Sequence, residues 1–349
     1  MKKILTSASL MFTCASLFAQ ISLTYKNNAL VPGDKSTYRD IQFIHPGQGG
    51  ANQIWDFSKL QYTGTNPEGT ITDNPTKRLD GASQFNVILK EAGAEYFFNF
   101  SETGFEEKGY VNQEKEISLV YTDPVQRMKY PFAFGDHIGD TYSGFAMYKE
   151  TTRIDFQGEY TVDADAFGTL ILPDMLLKNV LRVKVTKKGL ERNLCGSTEI
   201  NTERYFWYAP GYRYPVLTIS ILESQSGSQI PDVTRTAAVN TTQPFTGDAV
   251  TGVTEPEKID KSDVSVILYP NPFTEKLTYN YFLRKDFSVS IDLYDITGKV
   301  IEKVLKTQSQ VEGLHTGDIN ASQYGLKPGI YYLRFTFDNK VITNKIVKI

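Results

Sequence analysis

The chain reads as all-β, with a β-sandwich-like body followed by a small C-terminal immunoglobulin-like β-sandwich, and three observations predict this. Phe and Tyr are abundant, at 21 each in 349 residues, and aromatic side chains suit the half-buried pleated surface of a strand. Apolar and polar residues alternate along much of the chain. After the first twenty residues no long segment repeats with the 3.6-residue period of a helix.

The N-terminus reads as a removable signal over residues 1–19. Lys2 and Lys3 supply positive charge, Ile4 to Phe18 form an uncharged apolar stretch, and Ala19 offers the small residue a signal peptidase needs before Gln20. The stretch is shorter than the roughly 18 residues that cross a bilayer. Cys14 opens a lipoprotein alternative, but Met11, Phe12 and Thr13 precede it where lipid attachment wants small residues. Cleavage leaves Cys195 as the sole cysteine, so no internal disulfide can form and the fold rests on buried apolar area. Cys195 itself reads as a buried small hydrophobe rather than a reactive thiol.

No later segment is apolar enough to span a membrane. The net charge is −3 with basic residues scattered, which argues against nucleic acid or an anionic membrane as partner.

Three parts follow the signal. The body runs over 20–241, a linker over 242–263, and a tail domain over 264–349. The linker holds Pro244, Gly247, Gly252 and Pro256 among polar residues and shows no apolar periodicity, so it suits a hinge or a protease cut. In the body, strands are expected at Glu95 to Phe100, Ile117 to Tyr121, Thr151 to Tyr160, Thr169 to Leu172, Val180 to Val185, Arg204 to Tyr208 and Val216 to Leu222. Pro173 to Lys178 reads as one helical turn.

The tail alternates more clearly. Val289, Ile291 and Leu293 share one strand face, and Thr297-Gly298 turns the chain into Lys299 to Val304. Tyr331, Leu333, Phe335 and Phe337 share another face, and Asp338-Asn339 returns the chain through Lys340 to Lys348. With Val264 to Leu268 and Leu277 to Phe282 this makes six or seven short strands, which pack naturally as a sandwich.

Four tail segments together carry a resemblance. They are Leu268-Tyr269-Pro270-Asn271-Pro272-Phe273, Leu293-Tyr294-Asp295-Ile296-Thr297-Gly298-Lys299, Leu326-Lys327-Pro328-Gly329-Ile330-Tyr331-Tyr332 and Lys345-Ile346-Val347-Lys348-Ile349. Their order and spacing resemble the type A C-terminal sorting domain of type IX secretion cargo in the Bacteroidota. The resemblance implies periplasmic transit, passage through the outer-membrane translocon, removal of the tail by a processing peptidase, and release or attachment to surface lipopolysaccharide. The residues it marks are Tyr269, Pro270, Asn271, Pro272, Gly298, Lys299, Gly329, Tyr331, Lys345 and Lys348. In the body, Gly49 to Ser58, Ala166 to Pro173 and Asn179 to Lys184 resemble segments of other type IX cargo bodies, a group that implies no chemistry.

Catalytic motifs are absent from the sequence. It contains no Gly-x-Ser-x-Gly elbow, phosphate loop or dinucleotide fingerprint. His45, His137 and His315 are far apart and form no His-Glu-x-x-His pair. A Cys195–His137 dyad would need the fold to assemble it. Asp163, Asp165 and Asp174, with Gly168, partly echo a calcium loop, but Phe167 stands where an oxygen ligand belongs. The plainer reading is a turn between two strands. Asp163 and Asp165 on one strand face would stand about 6 to 7 Å apart, within the range of inverting glycosidases.

Tyr205, Trp207 and Tyr212 are the candidates for an exposed aromatic platform, although alternation sends half of such a run into the core. No cofactor is expected. The leading expectation is a secreted or surface-bound, non-enzymatic binding or adhesion module. The alternative is a surface hydrolase acting on polysaccharide or protein.

Overall fold

Strands account for nearly all regular structure in the computed structural model, which describes residues 21–64, 68–73, 79, 81, 84–173, 175–194, 196–242, 257–258 and 263–349. The helix α1 (Tyr25–Asn28) is a single turn whose N-cap, Thr24, accepts the Asn27 amide through Oγ1 at 3.4 Å. Among the described residues no helix is long and apolar enough to cross a membrane.

The body strands are β1 (Ser22–Leu23), β2 (Lys35–Ser36), β3 (Tyr38–Asp40), β4 (Gly50–Asp56), β5 (Gly69–Thr72), β6 (Val87–Glu91), β7 (Ala94–Ser101) and β8 (Gly104–Asn112). There follow β9 (Ile117–Lys129), β10 (Phe132–Ala133), β11 (His137–Tyr148), β12 (Thr152–Leu172), β13 (Met175–Asn193), β14 (Gly196–Tyr208), β15 (Leu217–Ser226) and β16 (Asp232–Asn240); β17 (Glu257–Lys258), within the bounds expected for the linker, pairs with β13, and the rest of 243–262 lies outside the described residues. One path runs β2-β5-β6-β7-β8-β9-β11-β12-β13-β14-β15-β16-β3. Its two ends, β2 and β3, are consecutive strands joined by Thr37. The Thr241 amide donates to the Thr37 carbonyl at 2.8 Å, and the Thr37 amide donates to Thr242 Oγ1 at 2.9 Å.

This nearly closed thirteen-strand barrel corrects the expected β-sandwich-like body. The alternation was read properly as strands with one buried face, but that pattern is common to sandwiches and barrels. Closure depends on pairings such as Lys35 with Thr70 and Asp40 with Ala238, which no local pattern encodes. Two local expectations change with it. The strands expected at Thr151 to Tyr160 and Thr169 to Leu172 are parts of one unbroken strand, β12, which starts at Thr152, and Met175 to Lys178 open β13 rather than forming a helical turn.

Along β12, Phe156, Tyr160, Val162 and Ala164 pack inward with Leu181, Val183 and Val185 of β13. Each large apolar side chain removed from water in this way contributes about 1.5–3 kcal/mol. Gly168 is required where β4 crosses β12, because a Cβ there would overlap the backbone of Gln53.

The chain falls into two compact units, the second being Pro256–Ile349 with Ile54–Lys59 and Leu170–Leu176. Its tail strands are β18 (Val264–Tyr269), β19 (Lys276–Leu283), β20 (Phe287–Asp295), β21 (Val300–Gln310), β22 (Gly313–Asn320), β23 (Gly329–Phe337) and β24 (Lys340–Lys348). They form two sheets, β18-β19-β22 and β21-β20-β23-β24. Leu277, Tyr279 and Tyr281 from the first share a core with Val289, Ile291, Leu293, Leu333, Phe335 and Phe337 from the second.

Candidate functional site

In the tail, the first motif clamps the last strand. Asn271 Nδ2 donates to the Lys345 carbonyl at 2.8 Å, and Asn271 Oδ1 accepts the Val347 amide at 2.9 Å. Phe273, 1% exposed, exchanges backbone bonds with Val347 and Ile349. Tyr269 accepts from Asn280 Nδ2 at 2.9 Å, and the Pro270 and Pro272 peptides are both cis.

The middle motif is a turn organised by Asp295, whose Oδ1 accepts from Thr297 Oγ1, the Thr297 amide and the Lys299 amide at 2.6 to 3.0 Å. Those bonds, the Thr297 hydroxyl first, hold its carboxyl below the usual range. Gly298 takes φ +85° there. Gly329 opens β23, and the Tyr331 hydroxyl donates to the Lys327 carbonyl at 2.8 Å. Lys345 is exposed and Lys348 half-buried on β24. The first and last motifs are thus joined directly.

The three histidines stay apart. His315 stacks on Tyr281, with ring centroids 5.0 Å apart, and bonds the Val311 carbonyl at 2.8 Å. His45 Nδ1 accepts the Gly47 amide. His137 pairs with Asp163 across β11 and β12. Cys195 and Asp174 lie outside the described residues.

Asp163 and Asp165 sit within β12 with both carboxylates engaged. Asp163 also accepts from Thr161 Oγ1 at 2.8 Å. Asp165 meets Arg182 through two bonds, Nε to Oδ1 at 2.9 Å and Nη2 to Oδ2 at 2.7 Å. Arg182 is 2% exposed, and its Nη1 donates to the carbonyls of Pro46 and Gly47 at 2.7 and 3.1 Å. Among the described residues no three His, Cys, Asp or Glu side chains converge as metal ligands.

Tyr205, Trp207 and Tyr212 are all buried. The rings of Tyr205 and Trp207 lie 5.3 and 5.7 Å from the Arg182 guanidinium carbon. The Tyr205 hydroxyl donates to Glu203, which also accepts Lys184. None of the three aromatic residues lines the cavity described next.

The barrel holds a partly open cavity of about 540 Å³. Its lining includes the rings of Tyr96, Phe98 and Phe105 from β7 and β8 and of Phe206 and Tyr208 from β14. Beside β14, the neighbouring strands β15 and β16 present small side chains, Thr218 in register with both Phe206 and Ala238, and Ser220 with Thr236. Six charged residues reach this lumen: Asp40, Glu91, Glu107, Arg127, Arg204 and Arg213. Arg127 Nε stands 3.4 Å from Glu107 Oε2. Burial pushes the Glu107 carboxyl up, but Arg127, Lys187 and Arg204 together outweigh this and hold it below its usual range. Burial alone raises Glu91.

Lys187 follows Val183 and Val185 on the inner face of β13. It donates to the Tyr121 hydroxyl at 2.6 Å and lies 4.4 Å from the Tyr142 ring centre. Burial pulls its ammonium down to about 8, with Arg127 and Arg204 adding to the effect and Glu107 opposing it.

Sequence reasoning missed this lumen because attention fell on the opposite strand face. The available signal was Arg204 in phase with Phe206 and Tyr208, a charge placed among inward-facing rings.

Comparison with curated proteins and with solved structures gives no match to the chain. Residues 267–349 match the family described as the secretion system C-terminal sorting domain, so this all-β protein carries a type IX export tail that sends it out of the cell or onto its surface.

Proposed function

We propose that the body is a non-enzymatic binding or adhesion module whose ligand occupies the barrel lumen. The supporting observation is the aromatic-walled cavity of about 540 Å³, within the roughly 300–1,000 Å³ typical of small-molecule sites. Native mass spectrometry of the mature extracellular protein tests this. A bound small molecule is expected, and it should be lost when Ser220→Phe fills the lumen; retention by that variant would refute the reading.

The tail supplies the address. In this reading Tyr269, Pro270, Asn271 and Pro272 hold the last strand in place, and the translocon recognises that strand with Lys345 and Lys348. Gly298, Lys299, Gly329 and Tyr331 shape the turns beside it. Transit runs through the periplasm, a peptidase removes the tail, and the body is released or joined to lipopolysaccharide.

A second reading, hydrolysis of polysaccharide or protein, draws on Glu91 and Glu107. Both line the lumen, one carboxyl raised and the other lowered, as an acid and its partner carboxylate require. Turnover of a surface polymer that Glu91→Gln abolishes would establish it. Unchanged turnover in that variant would remove Glu91 from the chemistry.

A further inference from the structure

Three neighbouring hairpins of the body end on one rim, and each turn presents an apolar side chain to solvent. Thr198 and Ser226 are partners in the β14–β15 register, and their hydroxyls share a hydrogen bond of 2.8 Å. That pairing sets the β13–β14 turn, closed by Asn193 and Gly196, beside the β15–β16 turn that follows Ser226. On the other flank a Cβ on Gly158 of β12 would meet the Lys188 carbonyl of β13. β12 and β13 are consecutive, paired strands and run antiparallel. Six residues on from that crossing Thr152 and Leu194 therefore stand level, and the β11–β12 turn between Tyr148 and Thr152 joins the same rim.

Leu194 is 105% exposed and Ile230 93%, the highest values for large apolar side chains among the described residues, and Tyr148 is 42% exposed. Single apolar residues scattered over a surface need no explanation, but one on each of three adjoining turns does. The Ile230 turn is preformed: the Gln229 amide donates to the Ser226 carbonyl at 3.2 Å, and Gly227 takes φ +59°. Area and charge limit what can cover this rim. Two aliphatic side chains and one ring on protruding turns fall far short of the ~800 Å² per partner that a stable protein interface buries. A bilayer, by contrast, accepts isolated side chains without a complementary surface. The flanking charges, Lys149 and Arg192 against Glu150, Glu191 and Asp232, leave no basic excess to select anionic lipid. Ser228 and Gln229 beside Ile230 can hydrogen-bond with headgroups.

We infer that this rim docks on a zwitterionic phospholipid bilayer, with Leu194 and Ile230 entering the acyl boundary and Tyr148 at the level of the headgroups. The inference stands whether or not the lumen holds a ligand. The protein freed of residues 1–19 is floated with phosphatidylcholine vesicles. It should rise with them, and added salt should not release it, because the attraction is apolar. Leu194→Ser and Ile230→Ser should each weaken the partition roughly tenfold, and the double variant roughly a hundredfold. Val311→Ser, at an apolar residue of the tail that is 66% exposed, should partition like the wild type. All three side chains face solvent, so the variants should melt like the wild type.

Failure to float, release by salt, unchanged flotation of the double variant, or an equal loss in Val311→Ser overturns the inference. A concentration-dependent dimer in analytical ultracentrifugation that the double variant loses would assign the rim to a second copy of the chain, and overturns it as well. None of these outcomes bears on the lumen reading, which Ser220→Phe tests separately.

Discussion

Replacing Asp165 by alanine takes from the Arg182 guanidinium, 2% exposed, the carboxylate that meets two of its nitrogens. Breaking a buried pair from one side costs about 3–5 kcal/mol, since the remaining charge keeps its desolvation penalty and loses its counter-ion. Two features move this toward the lower end. The Asp165 side chain is 22% exposed, and Arg182 retains the carbonyls of Pro46 and Gly47. A loss of about 3 kcal/mol lowers the melting temperature by about 6–12 °C at 2–4 °C per kcal/mol.

Differential scanning calorimetry with and without calcium is the assay. Asp163→Ala, which removes a largely exposed contact with His137, should cost about 1 kcal/mol or less. The double variant Asp165→Ala/Arg182→Met should recover part of the loss, because the stranded charge is gone. Calcium should move none of these transitions. A cost under about 1 kcal/mol for Asp165→Ala, or a calcium-induced rise in the wild type that Asp163→Ala abolishes, would refute the ion-pair account and return these aspartates to metal binding.

Lys187 gives a pH prediction. Its folded-state pKa of about 8 lies below the unfolded value, so the unfolded chain binds more protons between the two and stability rises with pH there. Lys187→Met should therefore be more stable than wild type at pH 7, with the lead shrinking as pH passes 8; a constant lead in melts from pH 7 to 9.5 would contradict the assignment. Gly168→Ala should destabilise by about 1–3 kcal/mol or more, because the new Cβ meets the backbone of Gln53 rather than a movable side chain; an unchanged urea midpoint would show that β4 does not press on β12. Asn271→Ala removes two bonds to β24, so the Val347 amide should exchange faster by hydrogen-exchange mass spectrometry. Deleting Lys327 to Ile349 should strand the protein in the periplasm; its appearance in the medium or on the surface would contradict the proposed sorting role.

The tail strands were legible because each apolar run faces one core. Val289, Ile291 and Leu293 are fully buried in alternation, as are Leu333, Phe335 and Phe337. The body strands were found but cut short. β9 runs on through Thr122, Asp123 and Pro124, three residues that locally favour a turn, because β11 pairs with Asp123 and β8 resumes its pairing at Val125 across a register shift. The seam at Thr37 was invisible, since strands of two and three residues carry no period. The lumen was invisible for another reason: its lining comes from strands far apart in the chain, and Ser220 and Thr236 look like ordinary surface residues until Phe98 and Phe206 are seen to line the same space.

The seam has a consequence for the order of assembly. Thr37 and Thr242, whose contact completes the barrel, stand 205 residues apart, so β3 waits for β16. Until the chain through Thr242 is available, both ends of the sheet are open edges with unpaired amides and carbonyls, the surfaces on which β-proteins associate wrongly. Contacts of such span also form slowly, because the loop must close before the pairing can stabilise it. The body is thus most vulnerable as an almost complete chain, and a truncation before Asp232 would remove β16 and with it the pairing to β3 that closes the ring.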